Sequence, residues 1–152
     1  MKIEKLNKSS FKCCENITNK KLLLNICDYL NYWLTDSNDF YRNLYVEPQK
    51  DYYENNHNLG DVFYSYPLSY HIIANLVCVQ LPKTTFNLIP FKYKPFKTCC
   101  IKVLEYVKNN DIKEIHTPIF GTKILEGKWG DILLIMKDIF SRSNLERLCI
   151  YE

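Results

Sequence analysis

Residues 116–129, "HTPIFGTKILEGKW", hold two of the chain's four glycines, Gly121 and Gly127. A glycine-bearing loop between a strand and a helix can aim backbone N–H groups at a phosphate or carboxylate. Glycine lets the backbone approach closely and adopt positive φ. Thr122 and Ile124 lie in the same turn, and Lys123 would add a point charge to a bound anion. Glu126, three residues on, either opposes that anion or forms a solvated pair with Lys123; both readings stay open. Seven cysteines include no C-x-x-C spacing, and His57, His71 and His116 are scattered. Zinc requires clustered ligands, so no metal site is expected. Without a Cys/His pairing motif the thiols read as reduced, small apolar residues.

The elements that must carry this loop can be read from periodicity. "KEIHTPIF" is a strand ending at the loop. After Trp129, apolar residues at Ile132, Ile135, Met136, Ile139 and Phe140 form a helical stripe, with Asp131 near the positive end of the dipole. Upstream, Phe96, Cys99, Cys100, Val103, Leu104 and Val107 form a second stripe, with Pro95 in its first turn and "KNND" at its end. "MKIEKL" reads as an edge strand, "KKLLLNICDY" as a buried strand, "GDVFYSY" as an alternating strand, and "YHIIANLVCVQ" as a strand buried on both faces. "RLCIY" is a final strand. "SNDFYRNLYV" predicts a helix capped by Ser37 or Asn38. Residues 47–59 and 81–95 read as loops. Alternation of strand and helix in the second half predicts an α/β sandwich with a partly parallel sheet.

The bulk numbers are compatible with this. The chain has 152 residues, read as one domain. Such a length buries roughly 68–70% of the unfolded surface and needs no disulfides to fold. A net charge of +3, with aromatics dispersed and no basic patch among them, argues against nucleic-acid binding. Apolar runs are too short to span a bilayer, and "MKIEKLNKSS" has no signal core, so an intracellular protein, cytoplasmic or nuclear, is expected. The richness in Asn, Lys, Tyr and Ile fits an AT-rich genome, a viral one included.

The loop resembles a known family. "P-I-F-G-T-K-I-L-E-G-K-W" is similar to the macro-domain signature P-R-I-G-x-G-L-x-G-G-x-W. Pro118, Gly121, Thr122, Gly127 and Trp129 match without a gap, and Phe120 and Ile124 are apolar where the family is apolar. Leu59, Gly60, Val62, Ala74, Asn75 and Gln80 fall on the upstream L-G-x-V and V-A-N-x-I-x-Q positions. Cys27, Trp33, Glu47, Pro48 and Tyr52 match a subfamily pattern that reads H-x-C-N-D-x-G-G-W-G-x-G, a helix, then W-P-E-P and a Tyr. The resemblance runs over residues 3–152. It implies a three-layer α/β/α sandwich around a mixed sheet. A cleft at the strands' carboxyl ends would bind ADP-ribose, with two loops presenting N–H groups to the diphosphate and distal ribose.

The chain departs from that pattern at both ends of the ligand. The four glycine positions of the first loop carry Asn31, Tyr32, Leu34 and Asp36, which add bulk and negative charge. Asp28 replaces an Asn that handles the distal ribose in catalytic relatives. Where an early Asp holds the adenine amino group, the register places Lys8, which donates but cannot accept. Leu125 stands where glycohydrolase relatives carry an aspartate. On the resemblance, the nucleotide-facing residues are Asp28, Asn31, Tyr32, Asp36, Asn75, Gly121, Thr122, Lys123, Ile124 and Gly127. No catalytic residue is assigned. The expectation is a divergent macro-domain-like protein with a degenerate ADP-ribose pocket, a non-catalytic binding or protein-interaction module without a cofactor. The alternative is an active domain that binds ADP-ribose or a related nucleotide, or removes ADP-ribose from proteins.

Overall fold

The computed structural model describes residues 1–11, 20–30, 32–33, 35–68, 70–80, 89–122 and 125–152. Its strands are β1 (Lys2–Leu6), β2 (Lys21–Asp28), β3 (Val62–Leu68), β4 (His71–Val79), β5 (Glu114–Pro118) and β6 (Arg147–Tyr151). The helices are α1 (Asp36–Arg42), α2 (Glu47–Glu54), α3 (Tyr93–Asn109) and α4 (Trp129–Phe140), with a short 3-10 turn at Lys8–Ser10. The strands form one sheet in the order β1-β6-β5-β2-β4-β3. All neighbours are parallel except β3, which runs antiparallel to β4 at the edge.

Alternation along the strands sorts side chains to two faces. Leu22, Leu24, Ile26, Ala74, Leu76, Ile115, Leu148 and Ile150 meet the apolar stripes of α3 and α4. Leu23 and Ile73 point the other way, against Tyr41 of α1 and Tyr45 just after it, and Cys27 packs with Trp33 and Tyr52. The result is the expected three-layer α/β/α sandwich around a mixed sheet. β2 and β4 are covered on both faces, which explains why their sequences are mostly apolar apart from Asn25 and Asn75 in their middles. Every residue of the α3 stripe is buried. In α4 the stripe is buried at Ile132, Met136, Ile139 and Phe140, while Ile135 packs at its margin.

Two expectations are corrected. The N-cap of α1 is Thr35, not Ser37 or Asn38. The Thr35 side chain accepts from the Asn38 N–H and Asn38 reaches back to the Thr35 N–H, a reciprocal box. Residues 47–54 are the helix α2, not a loop; Pro48 sits in its first turn, and Pro48 and Tyr52 are its buried residues. Within the predicted 81–95 loop, residues 81–88 lie outside the described residues, and α3 already begins at Tyr93. Among the described residues no helix is long and apolar enough to cross a membrane.

Candidate functional site

β2 and β5 are adjacent and parallel, but their continuations part. The chain leaves β2 for α1 on one face and leaves β5 for α4 on the other. Such a divergence opens a crevice at the carboxyl ends of the strands, where open α/β sheets hold ligands. The described residues of 28–36 form one wall and those of 119–128 the other.

The second wall is shaped by backbone. Gly121 has φ +77°, and a Cβ there would lie 2.9 Å from the Phe91 ring and 3.0 Å from Ile132. Gly127 donates its N–H to the Gly121 carbonyl at 2.7 Å, and a Cβ on Gly127 would sit 2.2 Å from that oxygen. Both positions therefore exclude side chains on steric grounds. Leu125 bridges to Ile89, and the Glu126 N–H donates to the Ile89 carbonyl at 2.7 Å. Glu126 is exposed, and Trp129 packs edge-on against Phe120 at 5.6 Å. Lys123 and Ile124 lie outside the described residues.

The first wall is organised by two carboxylates. Asp28, fully buried, accepts the N–H groups of Leu30 and Tyr32 at 3.0 Å each and of Trp33 at 2.9 Å. Trp33 holds a left-handed φ of 54°, and its ring packs on Tyr52 at 5.1 Å. The Tyr52 hydroxyl donates to the Asp28 carbonyl at 2.9 Å. Tyr32 is 52% exposed. Asn31 and Leu34 lie outside the described residues.

Asp36 reaches across the crevice. Its Oδ1 accepts the Gly121 N–H at 3.0 Å and its Oδ2 the Thr122 N–H at 3.3 Å, while Oδ1 also accepts the adjacent Ser37 N–H at 3.0 Å. The position of Asp36 is fixed from below. The Thr35 hydroxyl donates to the Ile26 carbonyl at 2.7 Å, and Ser37 Oγ and Asn38 Nδ2 each donate to Asn25 Oδ1 at 2.8 Å. Asn25 in turn donates to Asn75 Oδ1 at 2.9 Å. Asn75 is fully buried and donates to Ser65 Oγ at 3.0 Å and to the Phe63 carbonyl at 3.2 Å. Its side chain thus ties β4 to β2 and β3 below the cleft. Sequence reasoning missed Asn25, Thr35 and Ser37 as the support of Asp36. An asparagine inside "LLLNIC" and the capping string "TDSN" were the available signals.

A cavity of about 380 Å³ opens beside this contact, lined by Lys8, Asp36, Phe40, Pro118, Ile119, Thr122 and Glu152. Lys8, placed by the sequence at the adenine end, does border the cleft. Other reactive groups lie elsewhere. Among the described residues five cysteines are free and buried. Burial pushes Cys27, Cys78 and Cys100 well up, Cys99 to about 12 and Cys149 to about 11, which leaves little thiolate at neutral pH. Cys13 and Cys14 lie outside the described residues. Among the described residues no group of His, Cys, Asp or Glu is arranged to hold a metal.

No protein-family model and no curated protein sequence matches the chain. Its structure is nonetheless similar to solved ones along its whole length. A protein of unknown function from Bacteroides thetaiotaomicron superposes with TM-score 0.82 at 18% identity, covering 99% of this chain and 98% of that one. A macrodomain protein from Streptomyces coelicolor gives TM-score 0.76 at 16% identity, with 99% of each chain covered. DarTG from Thermosipho africanus, solved in complex with ADP-ribose, gives TM-score 0.66 at 8% identity over 89% of this chain and 39% of that one. The chain has the macrodomain fold, in a divergent form.

Proposed function

We propose that this chain is a macrodomain-like module whose ADP-ribose cleft is degenerate and non-catalytic, and which acts by binding another protein. The observation that carries the reading is the Asp36 carboxylate on the N–H groups of Gly121 and Thr122. Those donors are the ones the macro-domain resemblance assigns to a ligand's diphosphate. A carboxylate already there satisfies them and repels a second anion. On the other wall, Asp28 draws three further N–H groups inward, away from the crevice. Micromolar affinity corresponds to about 8 kcal/mol of net binding free energy, and losing both sets of donors removes much of its source. Asp28 and Asp36 are both engaged by backbone donors and Glu126 is exposed, so none of the three is placed to activate water over the Gly121 turn.

A second reading, retained binding of ADP-ribose or a related nucleotide, is favoured by the cavity beside Asp36 and by the ADP-ribose complex of the Thermosipho africanus neighbour. Calorimetry with ADP-ribose separates the two. The closed-cleft reading expects no heat up to millimolar ligand. A Kd tighter than about 100 μM would replace it with the second reading.

A further inference from the structure

We infer that the Asp36 carboxylate is a built-in substitute for a ligand's phosphate, seated in the cradle of the converging N–H groups of Gly121 and Thr122. The inference rests on the closed-cleft reading and supplies its cause.

The cradle does not depend on Asp36 for its shape. Its turn is held by the Gly127 N–H on the Gly121 carbonyl, by the Glu126 N–H on the Ile89 carbonyl, and by the packing of Phe91 and Ile132 beneath Gly121. That packing leaves no room for side chains at Gly121 and Gly127. The N–H groups of residues 121 and 122 converge on one anionic group.

Asp36 likewise does not hold the first wall together. The capping box of Thr35 and Asn38, and the bonds from Ser37 and Asn38 to Asn25, anchor the start of α1 without its carboxylate. Replacing Asp36 therefore frees two converging N–H groups beside a cavity large enough for a diphosphate. It also changes the charge of that cavity. Among the described residues its ionisable lining is Asp36, Glu152 and Lys8, whose formal side-chain charges sum to −1, and to 0 once Asp36 is neutral. Among the described lining residues Lys8 is then opposed by Glu152, and Glu152 is itself paired with Lys5 at 3.2 Å. The ligand class gained is a phosphate or diphosphate ester, with inorganic pyrophosphate its smallest probe.

The test titrates wild type, Asp36→Ala and Asp36→Asn with pyrophosphate and then ADP-ribose, following the backbone amides of Gly121 and Thr122 by NMR and checking folding by thermal melt. Asp36→Ala is expected to bind pyrophosphate about tenfold tighter than wild type or better, the change that one recovered charge-assisted hydrogen bond gives. The two amides should move on binding. Asp36→Asn, which keeps the acceptor and loses the charge, should gain less. A folded Asp36→Ala with unchanged affinity overturns the inference, as does a gain that leaves both amides unmoved. If Asp36→Ala fails to fold, Asp36→Asn decides by the same criteria. Binding of ADP-ribose by wild type would contradict the closed cleft, while the variant-to-wild-type ratio still judges the role of Asp36.

Discussion

The carboxylate of Asp36 and the N–H of Gly121 meet at 3.0 Å across the crevice between β2 and β5. The two residues are far apart in sequence and belong to opposite walls, so their contact spans the place where the topology would receive a ligand. The same crevice is drawn in on one side by Asp28, whose buried carboxylate gathers three backbone donors. Two side chains of the protein thus do locally what a bound anion does in an open site.

Asp28 should matter more for stability than for binding. Asp28→Ala strands three N–H groups and releases Trp33 from its left-handed φ of 54°. Hydrogen bonds to a charged group contribute more than neutral ones, and the expected loss is about 3 kcal/mol in urea unfolding. Asp28→Asn keeps one acceptor oxygen and should lose about half of that. Equal stability of Asp28→Ala and wild type would contradict the role assigned here.

The glycines of the second wall give a graded series. Gly121→Ala meets Phe91 and Ile132 at a positive φ, and a loss of about 2 kcal/mol is expected. Gly127→Ala meets the Gly121 carbonyl at 2.2 Å and should cost more. Gly130, in the first turn of α4, has nothing within 4 Å of an added Cβ, so Gly130→Ala should stabilise by up to about 1 kcal/mol. Thermal or urea unfolding of the three variants checks the order; a reversed ranking contradicts the steric account.

How much of this was readable beforehand depends on whether the signal was local. Gly121 and Gly127 were legible because a backbone requirement writes itself into residue type. The stripes of α3 and α4 were legible because one buried face repeats over several turns. α2 was missed because it is short and polar and buries little beyond Pro48 and Tyr52, although Glu47-Pro48 is a helix-start signal. The expectation of added bulk at Tyr32 rested on residue size alone; the residue is half exposed. Asp36 was legible as an added negative charge. Whether that charge repels a ligand or replaces it depends on a distance to Gly121 that no local pattern encodes.

A buried histidine predicts the response to acid. His116 lies between Glu114 Oε2 and the Tyr151 hydroxyl, each 2.9 Å from a ring nitrogen. Burial lowers its pKa below 6.5, although Glu114 pulls it back up. The unfolded chain therefore takes up this proton at higher pH than the folded one, and stability declines as pH drops below about 6.5. Burial works against the Glu114 carboxylate, but hydrogen bonds from His116 and Arg147 hold its pKa below 4.5. Its contribution is present above that value and is lost as pH falls through the lower folded value, so both losses lie on the acid side. Melting curves between about pH 7.5 and 5.5 should fall for wild type and flatten for His116→Gln. Parallel curves would show that His116 does not carry the dependence.

The most direct measurement is a crystal structure of the wild-type protein grown with millimolar ADP-ribose. The account predicts that Asp36 stays on the N–H groups of Gly121 and Thr122 and that no diphosphate enters the crevice. A diphosphate seated on those two groups, with Asp36 turned aside, would contradict it.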